Sequence, residues 1–186
     1  MAKRNAREAG RLIAVDGVDG TAVKAAARAS IADVPKRERG GVSGWDASGV
    51  FGDLIVAAQD AGRPSARTLL LLYAADLAFR LRWEIRPAIA EGRVVVAAPY
   101  VATAIAFGRA AGLPGAWLTD LFTFAPAAAR TEAVDDAGSR KTDGGFVEFG
   151  SAFMLDARGN KRGDLIDRTR THLLRLTRTR RSRLNH

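Results

Sequence analysis

The sequence has no cysteine and only two histidines, His172 and His186. Disulfides and thiolate metal sites are therefore excluded, and imidazole ligation has two side chains to draw on. The lack of cysteine suits a reducing compartment, and a cytoplasmic location is the expectation. No stretch reaches the roughly 18 consecutive apolar residues of a membrane span. The basic opening MAKRNAREAGR lacks the apolar run of a signal peptide. The chain reads as soluble, with no membrane role. Internal repeats and low-complexity linkers are also missing, and no aromatic residue follows Phe153.

What is present is a chain of 186 residues, 47% apolar, long enough to bury a real core in one domain. Its formal net charge of +9 is concentrated at the ends. Lys3, Arg4, Arg7 and Arg11 against Glu8 leave the first eleven residues at +3. Lys161 and nine arginines against Asp164 and Asp167 leave residues 157–186 at +8. The body between is close to neutral. The expected organisation is a basic arm over 1–10, a folded domain over 11–178 and a basic tail over 179–186.

The stretch that organises the domain is RLIAVDGVDGTAVKAAAR, Arg11 to Arg28. Leu12 to Asp16 reads as a buried strand, Gly17-Val18-Asp19-Gly20 as a turn, and Thr21 to Ala27 as a helix without a breaker. Strand, glycine turn and helix N-terminus form the frame of a phosphate-binding loop, in which backbone N–H groups face an anion. The full motif G-x-x-x-x-G-K-[ST] requires Gly, Lys and a hydroxyl at its last three positions. Counted from Gly17, those positions hold Ala22, Val23 and Lys24. The lysine is one residue late, about 100° around the helix. An ordinary strand-to-helix turn that binds nothing reads equally well.

Further along, Ile31 to Pro35 suggests a short second strand, Lys36 to Gly41 a charged loop, and Val42 to Ala47 an irregular stretch anchored by Trp45. Val50 to Ala58 reads as a helix. Ser65 is placed to cap the longest helix, which runs to about Glu91 and ends at Gly92. Its first half, Leu69 to Ala75, is apolar all round and expected to be buried, and Pro87 is expected to kink or tighten its end. Val94 to Ala98 is the clearest strand and suits a parallel interior. Helices follow at 100–111 and 116–122. A mobile polar loop is expected over 125–145, a strand within 146–156, a turn at 158–163, a helix from Asp164 to about Arg178, and fraying from Arg180. Strands alternating with helices indicate an α/β parallel sheet.

Several segments in order resemble the thymidylate kinases, P-loop enzymes that phosphorylate dTMP. Ala14 to Gly20 is similar to that family's first strand and G-x-D-G opening. Arg37-Glu38-Arg39-Gly40-Gly41 resembles its R-E-P-G-G, with Arg39 replacing the proline. Leu71 to Asp76 resembles its L-L-F-A-A-D-R, with Leu77 in place of the arginine. Arg86 to Val95 resembles I-R-P-A-L-x-x-G-x-x-V-I. Ala98-Pro99-Tyr100-Val101 lies where the family has D-R-Y-x, and Gly112-Leu113 to Phe124-Ala125-Pro126 resembles its G-L-x-x-x-W-x-x-x-L-x-x-F-A.

The resemblance, over roughly residues 10–130, implies a P-loop nucleotide-kinase-like, three-layer α/β fold with a rebuilt C-terminal third. It implies cofactor contacts at Gly17, Asp19, Gly20 and Lys24. It also implies substrate contacts at Arg37, Tyr73, Tyr100, Thr103 and Phe107, with Tyr73 stacking on the base; Arg80, three residues after Leu77 and near the same helix face, is the candidate to replace the lost arginine at an acceptor phosphate. The departures fall on charged positions: Val23 for the P-loop lysine, Leu77 for an arginine, and Ala98-Pro99 for an Asp-Arg pair. A degenerate homologue that binds a dTMP-like nucleotide or a protein partner is the leading expectation. An active kinase using ATP and Mg²⁺ through Lys24 and Arg80 is the alternative, as is a basic nucleic-acid-associated protein. A dimer, with itself or another chain, is implied through the 66–90 helix.

Remaining features read more plainly. Arg80 alone suggests a solvated arginine on an amphipathic helix. Glu132, Asp135 and Asp136 suggest solvated carboxylates, and no metal site is expected. His172 has no nucleophile or carboxylate at recognisable spacing. The basic C-terminus, without aromatic residues, fits attraction to a polyanion backbone or an acidic protein surface.

Overall fold

In the computed structural model, residues 10–134, 144–154 and 162–184 are described. The sheet is built around β3 (Val94–Ala98), five apolar residues that are all buried. A strand apolar on both faces belongs inside a parallel sheet. There β3 lies between β2 (Arg39–Gly44) and β1 (Arg11–Asp16). β4 (Arg130–Ala133) pairs with the other side of β1, so the order is β2-β3-β1-β4 with every pair parallel.

The period of two along each strand divides the core. Ile13, Val15, Val94 and Val96 cluster with Val23 and Ala27 of α1 (Gly20–Ala32). Leu12, Ala14, Val95 and Ala97 cluster with the other helical layer. That layer draws on α3 (Ala66–Arg80), α5 (Val101–Ala110), α7 (Phe146–Phe153) and α8 (Arg162–Leu184). The result is the expected three-layer α/β sandwich.

The long helix starts as its sequence predicts, the Ser65 hydroxyl accepting from the Thr68 N–H at 3.1 Å. Pro87 does not tighten its end. A proline offers no N–H to the carbonyl four residues back and crowds it. The preceding turn, Leu81–Ile85, instead widens to a π-helical one, with the Arg86 N–H bonded to the Leu81 carbonyl. α4 (Arg86–Ala90) then runs to Glu91 and to Gly92, whose φ of +79° suits glycine. Leu71 is half exposed, so the apolar first half is not wholly enclosed.

Four expectations are corrected. Ile31 and Ala32 finish α1, and the second strand is β2, preceded by a 3₁₀ turn at Lys36–Glu38. The polar stretch before residue 135 contains β4, a strand hidden by its polar edge residues. It is held by the Ala129 N–H on the Leu12 carbonyl and the Val134 N–H on the Asp16 carbonyl. Residues 146–153 form α7, because Phe146, Val147, Gly150 and Ser151 recur at helical spacing on its buried face. The last helix continues past Arg180 to Leu184. The expected turn at 158–163 lies almost wholly outside the described residues. α2 (Val50–Ala61) and α6 (Gly115–Leu121) complete the molecule. Among the described residues no helix is long and apolar enough to cross a membrane.

Candidate functional site

Parallel strands end together, and their C-terminal ends are where an open α/β sheet offers a crevice. Here the ends of β1, β2 and β3 open onto a cavity of about 300 Å³. Gly17 and Val18 line it from the turn after β1, Lys24 from α1, Trp45 and Asp46 from the turn after β2, and Phe146 from α7.

The turn after β1 is short. Only Gly17, Val18 and Asp19 separate the strand from α1, which begins at Gly20. Asp19 caps the helix itself, its Oδ1 accepting from the Ala22 N–H at 2.9 Å. The Gly17 N–H is also engaged, donating to Thr103 Oγ1 at 3.1 Å. Gly20 is a close-approach position: a Cβ there would come within 2.5 Å of the Gly145 backbone nitrogen. Gly144 and Gly145 thus lie against the start of α1. Val23 is buried, and a Cβ on Gly17 would meet its Cγ2 at 2.5 Å.

Two buried polar clusters support the floor. Asp16 Oδ1 accepts from the Tyr100 N–H (2.9 Å), the Thr103 N–H (2.9 Å) and Thr103 Oγ1 (2.8 Å), joining β1 to the start of α5. Burial raises the Asp16 carboxyl above the ordinary aspartate range, and these donors partly counter the rise. Arg80 is fully buried. It donates to Ser43 Oγ at 3.0 Å and to the carbonyls of Ser43 (2.7 Å) and Pro99 (3.1 Å), tying β2 to the segment after β3. Its ion-pair partner Asp76 lies 3.9 Å away. Asp76 in turn accepts from the N–H groups of Asp46 (3.2 Å) and Ser48 (2.9 Å), which shapes the turn after β2.

Of the residues expected at the site, Gly17, Gly20, Lys24 and Thr103 line the cavity. Asp19 sits beside them as the helix cap. Arg37 does not join them. It precedes β2, whose start pairs with Val94 at the beginning of β3, so it lies at the opposite end of the sheet. There it is exposed and paired with Glu38 at 3.1 Å. The R-E-x-G-G likeness therefore falls at the entry to the strand; the turn beside the cavity is Gly44-Trp45-Asp46.

The Tyr73 ring is fully buried, 4.5 Å from Phe146 between ring centres, and leaves no face for a base. Its hydroxyl donates to the Tyr100 carbonyl at 2.7 Å, and burial raises its pKa. Phe107 is equally enclosed, 5.1 Å from Phe146. The Tyr100 hydroxyl donates to the Pro126 carbonyl at 2.7 Å. Arg80 is not solvated; it is fully buried and lies under the floor. Glu132 accepts from Ser30 Oγ at 2.9 Å and pairs with Arg130 at 3.3 Å, while Asp135 and Asp136 lie outside the described residues.

Asp16, Ser43, Trp45, Asp46 and Phe146 carry the site without having been singled out for it. Asp46 had a legible signal, an Asp after a Trp and before a helix. It takes a left-handed φ of +60°, and its carboxylate accepts from the Phe51 N–H at 3.0 Å. Trp45 packs on Phe51 and Phe149, and its indole N–H has no partner among the described residues.

No protein-family model matches the chain, and no curated protein does. A solved structure does: the thymidylate kinase from Ehrlichia chaffeensis, at a TM-score of 0.62 and 12% identity, over 91% of this chain and 87% of that one. The likeness shows a P-loop-kinase-like fold. At that identity the likeness speaks for the architecture alone: a parallel sheet between helical layers, with a glycine turn after the first strand.

Proposed function

We propose that this chain is a thymidylate-kinase-like binding protein. It holds a thymidine-type nucleoside or nucleoside monophosphate, with or without a protein partner, and does not transfer phosphate efficiently. The observation that carries the reading is the poverty of cations at the cavity, where Lys24 stands alone among the described lining residues.

The residues present do not fit a nucleoside triphosphate and its metal ion. Among the described residues lining the cavity, Lys24 is the single cation, and Gly144–Gly145 crowd the start of α1. Val23, Leu77 and Ala98-Pro99 supply no charge where the resemblance places lysine, arginine and an Asp-Arg pair. Each donor aimed at developing charge contributes about 3 kcal/mol to a transition state, so their joint absence ends efficient catalysis. An active kinase working through Arg80 is disfavoured by that side chain's burial. The cavity suits a smaller guest: half-buried Trp45 offers aromatic surface at its wall, and Lys24 a charge for one phosphate.

Calorimetric titration tests the binding half of this reading. dTMP and thymidine are expected to bind, Lys24→Gln to weaken dTMP severalfold while sparing thymidine, and ATP with Mg²⁺ to bind more weakly than either. Tighter binding of ATP than of dTMP would overturn it.

A further inference from the structure

Much of the polar surface around the cavity is already engaged by the protein. The Gly17 N–H is held by Thr103 Oγ1, and that hydroxyl is itself spent on Asp16 at 2.8 Å. Among the described lining residues two side chains carry charge, Lys24 and Asp46. Lys24 is exposed, and no described residue pairs with its ammonium. Asp46 is half-buried and held from three sides. Its N–H donates to Asp76 Oδ2 (3.2 Å), its carbonyl accepts from the Gly49 N–H (3.2 Å), and its Oδ1 accepts from the Phe51 N–H (3.0 Å). No described donor reaches its other oxygen, Oδ2. Asp46 is also the one non-glycine residue with a left-handed φ among those described, a conformation its surroundings must hold. Asp19, the carboxylate of the glycine turn, caps α1 and is not among the lining residues.

We propose that Asp46 reads the sugar of the bound nucleoside: its free Oδ2 accepts a hydrogen bond from the 3′-hydroxyl, with any phosphate turned toward Lys24. The inference rests on the nucleoside reading given above. A carboxylate is acceptor-only, so its complement on the guest must be a donor. A thymidine-type guest offers few. Its imide N–H sits between two carbonyl oxygens, which repel a carboxylate drawn up to it. Its 5′-hydroxyl is consumed when the guest is a monophosphate. The 3′-hydroxyl has no flanking acceptors and is present in both forms. A hydroxyl donating to a carboxylate makes a short bond, about twice as strong as a neutral one. The two opposite charges also give the cavity a direction, since a phosphate is drawn to Lys24 and repelled by Asp46. Because the Asp46 carboxylate is fixed before the guest arrives, binding leaves little ordering cost there.

Calorimetric titration of the full chain with thymidine and with 3′-deoxythymidine is the test. The deoxy analogue should bind roughly tenfold to a hundredfold more weakly, the range for losing a hydrogen bond to a charged group. Asp46→Asn keeps an oxygen for the Phe51 N–H and tolerates the left-handed φ, so its urea midpoint should match the wild type. The same variant should weaken thymidine severalfold and leave 3′-deoxythymidine unchanged. Equal affinity of the wild type for the two guests would overturn the proposal and leave the nucleoside reading standing, and that comparison needs no variant. Equal weakening of both guests by Asp46→Asn would also overturn it, because the residue would then act only through the shape of its turn. If neither thymidine nor dTMP bound, the nucleoside reading would fall and this inference with it.

Discussion

At the scale of single residues, two buried charges organise the floor of the cavity, and each has a distinct signature. Asp16 is held with a raised pKa, so the folded chain keeps its proton to higher pH than the unfolded chain does. The group therefore favours folding at low pH, and that contribution is lost as the pH rises through the raised value. Asp16→Asn keeps an oxygen for the three donors and removes the charge. Urea denaturation at several pH values should show this slope in the wild type and its loss in the variant. Asp16→Ala should be far worse: it strands the Tyr100 and Thr103 N–H groups and the Thr103 hydroxyl, at about 1–3 kcal/mol for each buried group left unpaired. Arg80 is the second case. Arg80→Met would leave Asp76 buried without its cation, and a loss of about 3–5 kcal/mol is expected. If Arg80→Met were as stable as wild type, with only ligand affinity changed, Arg80 would be a ligand contact and its assignment to the floor wrong.

At the scale of elements, the contact between α1 and the Gly144–Gly145 segment closes the glycine turn. Gly20→Ala places a methyl within 2.6 Å of the Gly144 carbonyl carbon and oxygen, backbone atoms that cannot rotate away. It should cost about 1–3 kcal/mol as an overpacking change, read as a lowered urea midpoint, and should speed proteolysis near residue 144. How far the sequence revealed these elements follows from what each strand or helix presents. β1, β3, α1, α5 and the Ser65-capped helix were legible because they are apolar with a clear period or a defined cap. β4 was not, because an edge strand needs only its backbone, and Arg130, Thr131 and Glu132 read as loop. α7 was misread because a short apolar run carries no decisive period. The glycine turn was legible as a frame with the wrong charges. That Asp19 would turn back to cap the helix could not be read from spacing. The displacement of Arg37 arose because β2 begins two residues later, at Arg39, and carries the paired glycines inside the strand.

At the scale of the whole molecule, a nearly neutral body is set beside an arginine-rich helix, with an apolar stripe on a third surface. Leu71, Phe79 and Trp83 are 51%, 40% and 65% exposed, at successive intervals of eight and four residues along the long helix. The dimer that the resemblance implies through the long helix would use that stripe. Light scattering should give twice the chain mass at micromolar concentration, and Trp83→Ala should shift the balance toward monomer. A monomer in both would remove the dimer from the account. The central claim is that this P-loop-kinase fold binds without efficient transfer, and turnover measures it directly. Purified protein with ATP, Mg²⁺ and dTMP should form dTDP far below the kinase range of about 1–100 per second. Turnover of about one per second or more, abolished by Lys24→Ala, would contradict the account and make the chain an active kinase with a rearranged site.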